Sequence, residues 1–185
     1  MNDKSNPDLA AIEMDVGKLL AAEHILILGT VALGGGAMVH GMHFVSEGVN
    51  VYASSLRGTR KLLNIAKNSR VSYAVWKLPG FTERHEARSL QMQAVAEVVS
   101  DPVKIKELAA LMAEKEPWTV GSPLVRLNRW LHFRPVEALW QQGAEEIEAR
   151  RILRFSAEGR LAEAIIYPTF LKEIYSPMAE GVSSD

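Results

Sequence analysis

Cysteine is absent from the 185-residue sequence, which excludes disulfides, thiolate metal sites and cysteine nucleophiles. An excess of charge of either sign is absent too. The 21 Lys and Arg residues and the 22 Asp and Glu residues give a formal net charge of −1, which argues against a dedicated nucleic-acid-binding protein. The remaining balance, with 48% hydrophobic and 23% charged residues, is typical of a folded globular domain and excludes disordered and collagen-like classes.

The sequence also lacks a convincing membrane span. Residues 25–46 contain no Asp, Glu, Lys or Arg, but three glycines at 34–36 interrupt them. A span needs about 20 predominantly apolar residues without such a break, so two strands joined at the glycines explain this stretch better. The first 15 residues are acidic and polar and do not have the apolar region of a signal peptide. We therefore expect a cytoplasmic protein that does not contact a membrane.

Short segments rich in branched residues, bounded by turn residues, predict that strands dominate the chain. The connections between the first three strands are too short for crossovers, which predicts antiparallel pairing. Pro135 interrupts a later strand and requires either a bulge or an edge position there. The predicted strands cover residues 24–33, 37–46, 49–55, 70–77, 89–99, 130–141 and 150–155.

Helices are expected at three places. The first starts after Asn6-Pro7-Asp8 and ends near Glu23, and another begins at Asp101-Pro102, where Asp caps the helix and Pro suits its first turn. A short helix between them covers 60–68, and we expect it to turn Leu62, Leu63, Ile65 and Ala66 inward. The pattern as a whole predicts a mainly β (α+β) fold, namely an antiparallel β-barrel with short helices packed around it.

The most informative segment for function is 54–61. Here a strand ends in two serines, and a helix follows with Arg60 and Lys61 in its first turn and Arg57 nearby. Cations are unfavourable at a helix N-terminus, which already carries about half a positive charge. Free backbone N–H groups, a Thr hydroxyl and two or three cations would suit a phosphate. On the residues alone, solvated surface charge is the slightly favoured interpretation, and a phosphate site is the alternative.

Three stretches, taken in order, resemble the pyridoxamine 5'-phosphate oxidase-like split-barrel family of flavin-binding proteins. The segment VNVYASSLRGTRKLLNIAKNSRVSYAV at 49–75 resembles the central part of that family. Upstream, LILGTVALGGGAMVHGMHFVSEG is similar to its opening hairpin, and downstream LQMQAVAEVVSDP is similar to a later strand. The resemblance implies a split barrel and an FMN cofactor.

The resemblance also implies roles for individual residues. Thr59, Arg60 and Lys61 would hold the FMN phosphate, whereas the second strand would line the isoalloxazine and the strand at 89–99 would reach the flavin or ribityl edge. Such sites usually lie at a dimer interface, which implies a homodimer. The candidate cofactor-binding residues are His40, Met42, His43, Ser54, Ser55, Arg57, Thr59, Arg60, Lys61, Gln91 and Gln93.

We therefore expect an FMN-dependent oxidoreductase that acts on an unknown small molecule. Vitamin B6 oxidation is not expected, because the Arg-rich C-terminal substrate motif has no counterpart in this sequence. A non-catalytic flavin, deazaflavin or haem carrier on the same fold is the alternative, and a haem form would use His43, His85 or His132 as ligand. No catalytic side chain can be named from the sequence. We expect no metal site, because His40 and His43 would face opposite sides of a strand and could not bind one metal ion together.

The resemblance and the element pattern together predict three regions. An N-terminal helix covers 1–23, and the FMN-binding split barrel covers 24–142. A C-terminal strand and tail cover 143–185, and we associate them with the dimer.

Overall fold

The computed structural model describes residues 8–78, 80–121, 127–143 and 150–167. Within these residues the chain forms three α-helices, eight β-strands and two short 3-10 helices. The α-helices are α1 (Leu9–Ala22), α2 (Arg60–Lys67) and α3 (Pro102–Lys115), and the 3-10 helices are Phe81–Glu86 and Pro117–Thr119. The strands are β1 (Ile25–Val31), β2 (Ala37–Glu47), β3 (Asn50–Leu56), β4 (Arg70–Lys77), β5 (Arg88–Val98), β6 (Asn128–Gln142), β7 (Arg150–Phe155) and β8 (Leu161–Ile166).

All neighbouring strands are antiparallel, and six of them form a closed barrel. The strand order is β3-β2-β1-β4-β5-β6-β7-β8, and an additional pairing of β3 with β6 closes the ring. The strands β7 and β8 extend the sheet from β6 outside this ring. The predicted mainly β fold, an antiparallel barrel with short helices around it, is therefore confirmed. Closure gives every strand of the ring two neighbours and leaves none of them as a free edge.

The long strand β6 changes partners along its length. Residues 128–133 pair with β3, and residues 137–141 pair with β7. Between these two parts the register against β5 shifts, because Gln93 pairs with Glu137 whereas Ala94 pairs with Pro135. Of the two possibilities that the sequence left open at the proline, a bulge or an edge position, the structure shows the bulge.

Two apolar clusters determine where the helices sit. The larger cluster fills the barrel and includes Phe44 and Phe133, both fully buried. The smaller cluster lies on the outer face of the barrel, where Leu108 and Met112 of α3 pack against Trp130 of β6. This packing places the C-terminal end of α3 beside the outer face of β2 and β3.

The buried face of α2 differs from the expectation. Leu63 and Ala66 are exposed, whereas Asn64 and Ile65 are buried. The amide of Asn64 is tolerated in the interior because its Nδ2 donates to Thr30 Oγ1 over 2.9 Å. The prediction was right for Ile65, which is buried, and for Leu62, which packs against the core, but wrong for Leu63 and Ala66. It assigned the inward positions by apolarity and so did not include Asn64, whose partner on β1 lies far away in sequence.

The substitution Tyr73→Phe is expected to raise the free energy of unfolding by about 1–3 kcal/mol. Tyr73 is buried in the barrel, and its hydroxyl has no hydrogen-bond partner among the described residues. Burial raises the pKa of this phenol. The substitution keeps the ring, which lies 5.9 Å from that of Phe133 between centroids. Urea unfolding of both proteins measures the difference, and a less stable variant would contradict the prediction.

Candidate functional site

A cavity of about 840 Å³ lies between the barrel and the C-terminal end of α3. Parts of β2, β3 and β6 form one wall, and α3 and the 3-10 helix after it form the opposite wall. The N-terminal end of α2 lies at its edge. The lining residues are Gly41, Met42, His43, Ser54, Ser55, Leu56, Thr59, Lys61, Ala109, Met112, Ala113, Trp118, Thr119, Val120, Gly121, Asn128 and Trp130.

Hydroxyl groups are concentrated where β3 ends and α2 begins. Ser55 Oγ and Thr59 Oγ1 share a hydrogen bond of 2.9 Å, and Asn128 Nδ2 donates to Ser54 Oγ over 3.0 Å. Because Ser54 only accepts in this contact, its own O–H has no acceptor within the described part of the chain and can donate to a ligand. One O–H of the Ser55–Thr59 pair is free for the same reason. The cavity therefore offers hydroxyl donors to an anion at this end.

Positive charge accompanies these hydroxyl groups. Lys61 lines the cavity. Burial lowers the pKa of the nearby His40, and the positive charge of Lys61 lowers it further. Thr59 is the N-cap residue of α2, yet its side chain does not cap the helix, so the first-turn N–H groups have no side-chain acceptor among the described residues. Lys61, Arg57 and Arg60 form no salt bridge with a carboxylate of the described residues. These cations and N–H groups would stabilise an anion bound at this position.

A buried carboxylate fixes two of the side chains that line the cavity. Glu116 follows directly after α3 and is only 6% exposed. Its Oε1 accepts from His24 Nδ1 at 2.8 Å and from His43 Nδ1 at 3.0 Å, and its Oε2 accepts from Trp118 Nε1 at 2.9 Å. Burial by itself would raise the pKa of this carboxyl, but the three hydrogen bonds outweigh it and lower the pKa to about 2.

The Glu116 cluster presents two of its rings to the cavity. His43 and Trp118 both line it, and their ring centroids lie 5.1 Å apart in an edge-to-face arrangement. The side chain of Trp118 remains mostly exposed, although its indole N–H is fixed by the carboxylate. Glu116 and Asn128 could not be recognised from the sequence, because no local pattern distinguishes them.

The structure brings some of the predicted residues together and separates others. Those that line the cavity are Met42, His43, Ser54, Ser55, Thr59 and Lys61. His40 bonds to Thr30 Oγ1 through Nε2, and Arg57 and Arg60 are exposed outside the lining. Gln91 and Gln93 instead line a separate groove of about 500 Å³ on the outside of β4, β5 and β6.

The three histidines considered as haem ligands also occupy different places. His43 lines the cavity, whereas His85 is exposed in the 3-10 helix Phe81–Glu86. His132 Nε2 is bonded to Asn50 Oδ1 at 3.0 Å, and its ring stacks on Tyr52. Of these three, His43 is the one with access to the cavity.

The sequence profile of the pyridoxamine 5'-phosphate oxidase family matches residues 12–158, which is most of the chain. The chain belongs to the pyridoxamine 5'-phosphate oxidase family. The resemblance seen in the sequence is thereby confirmed for the family and the fold. A search of the curated proteins returned no match.

Solved structures share the fold of this family member at low sequence identity. A haem-binding protein from Mycobacterium smegmatis has a TM-score of 0.60 at 12% identity, over 72% of this chain and 55% of that one. A FAD-binding protein from Mesorhizobium loti has a TM-score of 0.55 at 19% identity, over 69% and 91% of the two chains. An F420 reductase has a TM-score of 0.53 at 22% identity, over 65% and 93%. At these identities the likeness shows the fold alone.

No helix within the described residues of this family member is long and apolar enough to cross a membrane.

Proposed function

We propose that the chain binds FMN in the cavity and acts as a flavin-dependent oxidoreductase on a small molecule. The observation that carries the proposal is the polar end of the cavity, where Ser54, Ser55, Thr59 and Lys61 meet at the uncapped N-terminus of α2. Hydroxyl donors, a cation and unpaired backbone N–H groups are the groups that hold a phosphate. The rest of the wall is largely apolar, which suits a planar ring system.

The size of the cavity and the related structures support this proposal. A volume of about 840 Å³ is within the range of small-molecule and cofactor sites. The FAD-binding protein and the F420 reductase use the same fold. A bound flavin would supply hydride transfer, while the chain binds it, orients it and shields it from water. As in the sequence analysis, oxidation of vitamin B6 is not part of the proposal.

We further propose that the protein works as a homodimer. The groove that contains Gln91 and Gln93 is lined by Ile27, Leu139 and Ile152 as well, so it combines apolar surface with amide groups. In the proposed dimer this face packs against the partner subunit, and the two glutamines contact the cofactor of that partner. Their assignment to cofactor binding depends on this arrangement.

The absorbance spectrum of the purified full-length protein tests flavin binding. We expect flavin bands, and release of FMN on denaturation, identified by mass. FMN added to protein purified without cofactor should restore the bands. A colourless protein that binds no flavin at micromolar concentration would contradict the proposal.

A haem-binding function is the second candidate, because His43 lines the cavity and a haem-binding protein shares the fold. Titration with haem would then give a Soret band, and His43→Ala would abolish it. His132→Ala is the matched control, because His132 is engaged by Asn50 away from the cavity. Tight binding of a deazaflavin together with weak FMN binding would favour the deazaflavin alternative instead.

A further inference from the structure

The contacts of Glu116 determine which nitrogen of His43 is available to a ligand. An ionised carboxylate only accepts hydrogen bonds, so the Nδ1 atom 3.0 Å from its Oε1 must carry the proton. The proton state of the second ring nitrogen follows from the bond that the first one makes. Nε2 is therefore the atom that His43 can offer to a molecule in the cavity, as acceptor when the ring is neutral and as donor when it is protonated.

A purely structural role does not explain the whole cluster. His24 Nδ1 at 2.8 Å already ties the start of β1 to the end of α3 through the same carboxylate oxygen. His24 is outside the lining of the cavity, whereas His43 is part of it. Holding the helix in place does not require a second imidazole at the cavity wall, nor an indole beside it.

We propose that His43 is the proton-transfer residue of the site and that Glu116 is its positioning residue. The assignment rests on the proposed flavin-dependent function. It also limits the substrate class, because a proton donor beside a hydride source suits reduction of a polar double bond. Quinones and other conjugated carbonyl compounds belong to this class.

A reduced flavin nucleotide, if bound in the cavity, would supply the hydride that is added to one end of the conjugated system and would itself be oxidised by two electrons. The π electrons move onto the carbonyl oxygen, and the Nε2–H bond of protonated His43 breaks to form the new O–H bond. The ring keeps its Nδ1–H on Glu116 throughout. It regains a proton from solvent, to which 40% of its side chain is exposed.

The first test needs no cofactor. Imidazole 15N NMR of the cofactor-free full chain should show His43 as the Nδ1–H tautomer when neutral. Glu116→Gln keeps the shape but removes the charge and should shift His43 away from this tautomer, whereas Glu116→Asp should restore part of the signature. An Nε2–H tautomer in the wild-type protein would overturn the assignment, whether or not FMN binds.

The second test uses the protein loaded with FMN and reduced without oxygen. Stopped-flow absorbance follows reoxidation by menadione, a quinone that takes up protons, and by ferricyanide, which takes up electrons alone. His43→Gln should slow the menadione reaction by about 100-fold relative to the ferricyanide reaction of the same variant. His24→Gln is the matched control, because it removes the other imidazole from the same carboxylate oxygen; we expect a menadione rate close to that of the wild type.

These outcomes distinguish a failure of the proposed flavin function from a failure of the proton-transfer role of His43. Protein that binds no flavin refutes the flavin function, whereas the tautomer result still tests the Glu116–His43 pair. Wild-type holoprotein that reduces ferricyanide but not menadione overturns the substrate class. Equal menadione rates for His43→Gln and His24→Gln overturn the proton-transfer role. An equal loss with both acceptors in His43→Gln also overturns it, because the defect would then not concern the proton.

Discussion

Replacing Lys61 with alanine is expected to weaken FMN binding by about 10- to 100-fold, since a hydrogen bond to a charged group contributes about 1.5–3 kcal/mol. Riboflavin, which lacks the phosphate, should bind wild-type and variant proteins almost equally. Lys61 is the cation that lines the cavity at its hydroxyl-rich end, and no described carboxylate neutralises it. Fluorescence titration with each flavin measures both affinities.

The same helix provides a matched control. Lys67 carries the same charge in the last turn of α2, is exposed and lies outside the cavity. Lys67→Ala should therefore keep the wild-type preference for FMN over riboflavin. If Lys61→Ala lowers the affinity for both flavins alike, the phosphate lies elsewhere. Adding Arg60→Ala to Lys61→Ala then shows how much the exposed guanidinium contributes from outside the lining.

The second large effect concerns acid stability. The pKa of the Glu116 carboxyl falls from an ordinary 4.5 to about 2 in the folded protein. A folded-state pKa below the unfolded value means that the contribution to stability is complete above pH 4.5 and is lost as the pH falls towards 2. A shift of this size corresponds to about 3 kcal/mol at neutral pH.

Glu116→Gln isolates this contribution. We expect the variant to be less stable than the wild type at pH 7, with a difference that shrinks as the pH falls from 4.5 to 2. Urea unfolding at a series of pH values gives the two curves. A Glu137→Gln variant serves as control, because that carboxylate forms its salt bridge with Arg154 on the exposed surface, where such pairs contribute little. A Glu116→Gln difference that stays constant across this pH range would disprove the prediction.

Local patterns predicted most of the fold. The bounds of β4 match the prediction because a run of branched and aromatic residues lies between two polar segments. The start of α3 follows from Asp101, whose side chain accepts from Val103 N–H at 2.9 Å. The strand β8 was missed because its exposed and buried positions do not alternate, so the sequence carries no period of two.

In the candidate site, too, local sequence patterns predicted one part and could not predict the other. Its hydroxyl-rich end is continuous in sequence from Ser54 to Lys61, so one short segment indicated it. The Glu116 cluster could not be found in this manner, because His43 and His24 lie 73 and 92 positions away from the carboxylate. Alternation placed Gln91 and Gln93 together on the outer face of β5, but which groove that face borders depends on how the barrel curves.

Closure of the barrel by β3 and β6 makes the cavity a late product of folding. Ser54 pairs with Trp130 and Leu56 with Asn128. One wall of the cavity therefore includes the place where two strands more than 70 positions apart pair with each other. Segments this distant meet late, since loop-closure entropy opposes them until other contacts form. During synthesis on the ribosome, the pairing of β3 with β6 cannot form before β6 has emerged. A small molecule that binds only the closed barrel would therefore raise its melting temperature, by an amount that grows with the logarithm of ligand concentration once that concentration exceeds the dissociation constant.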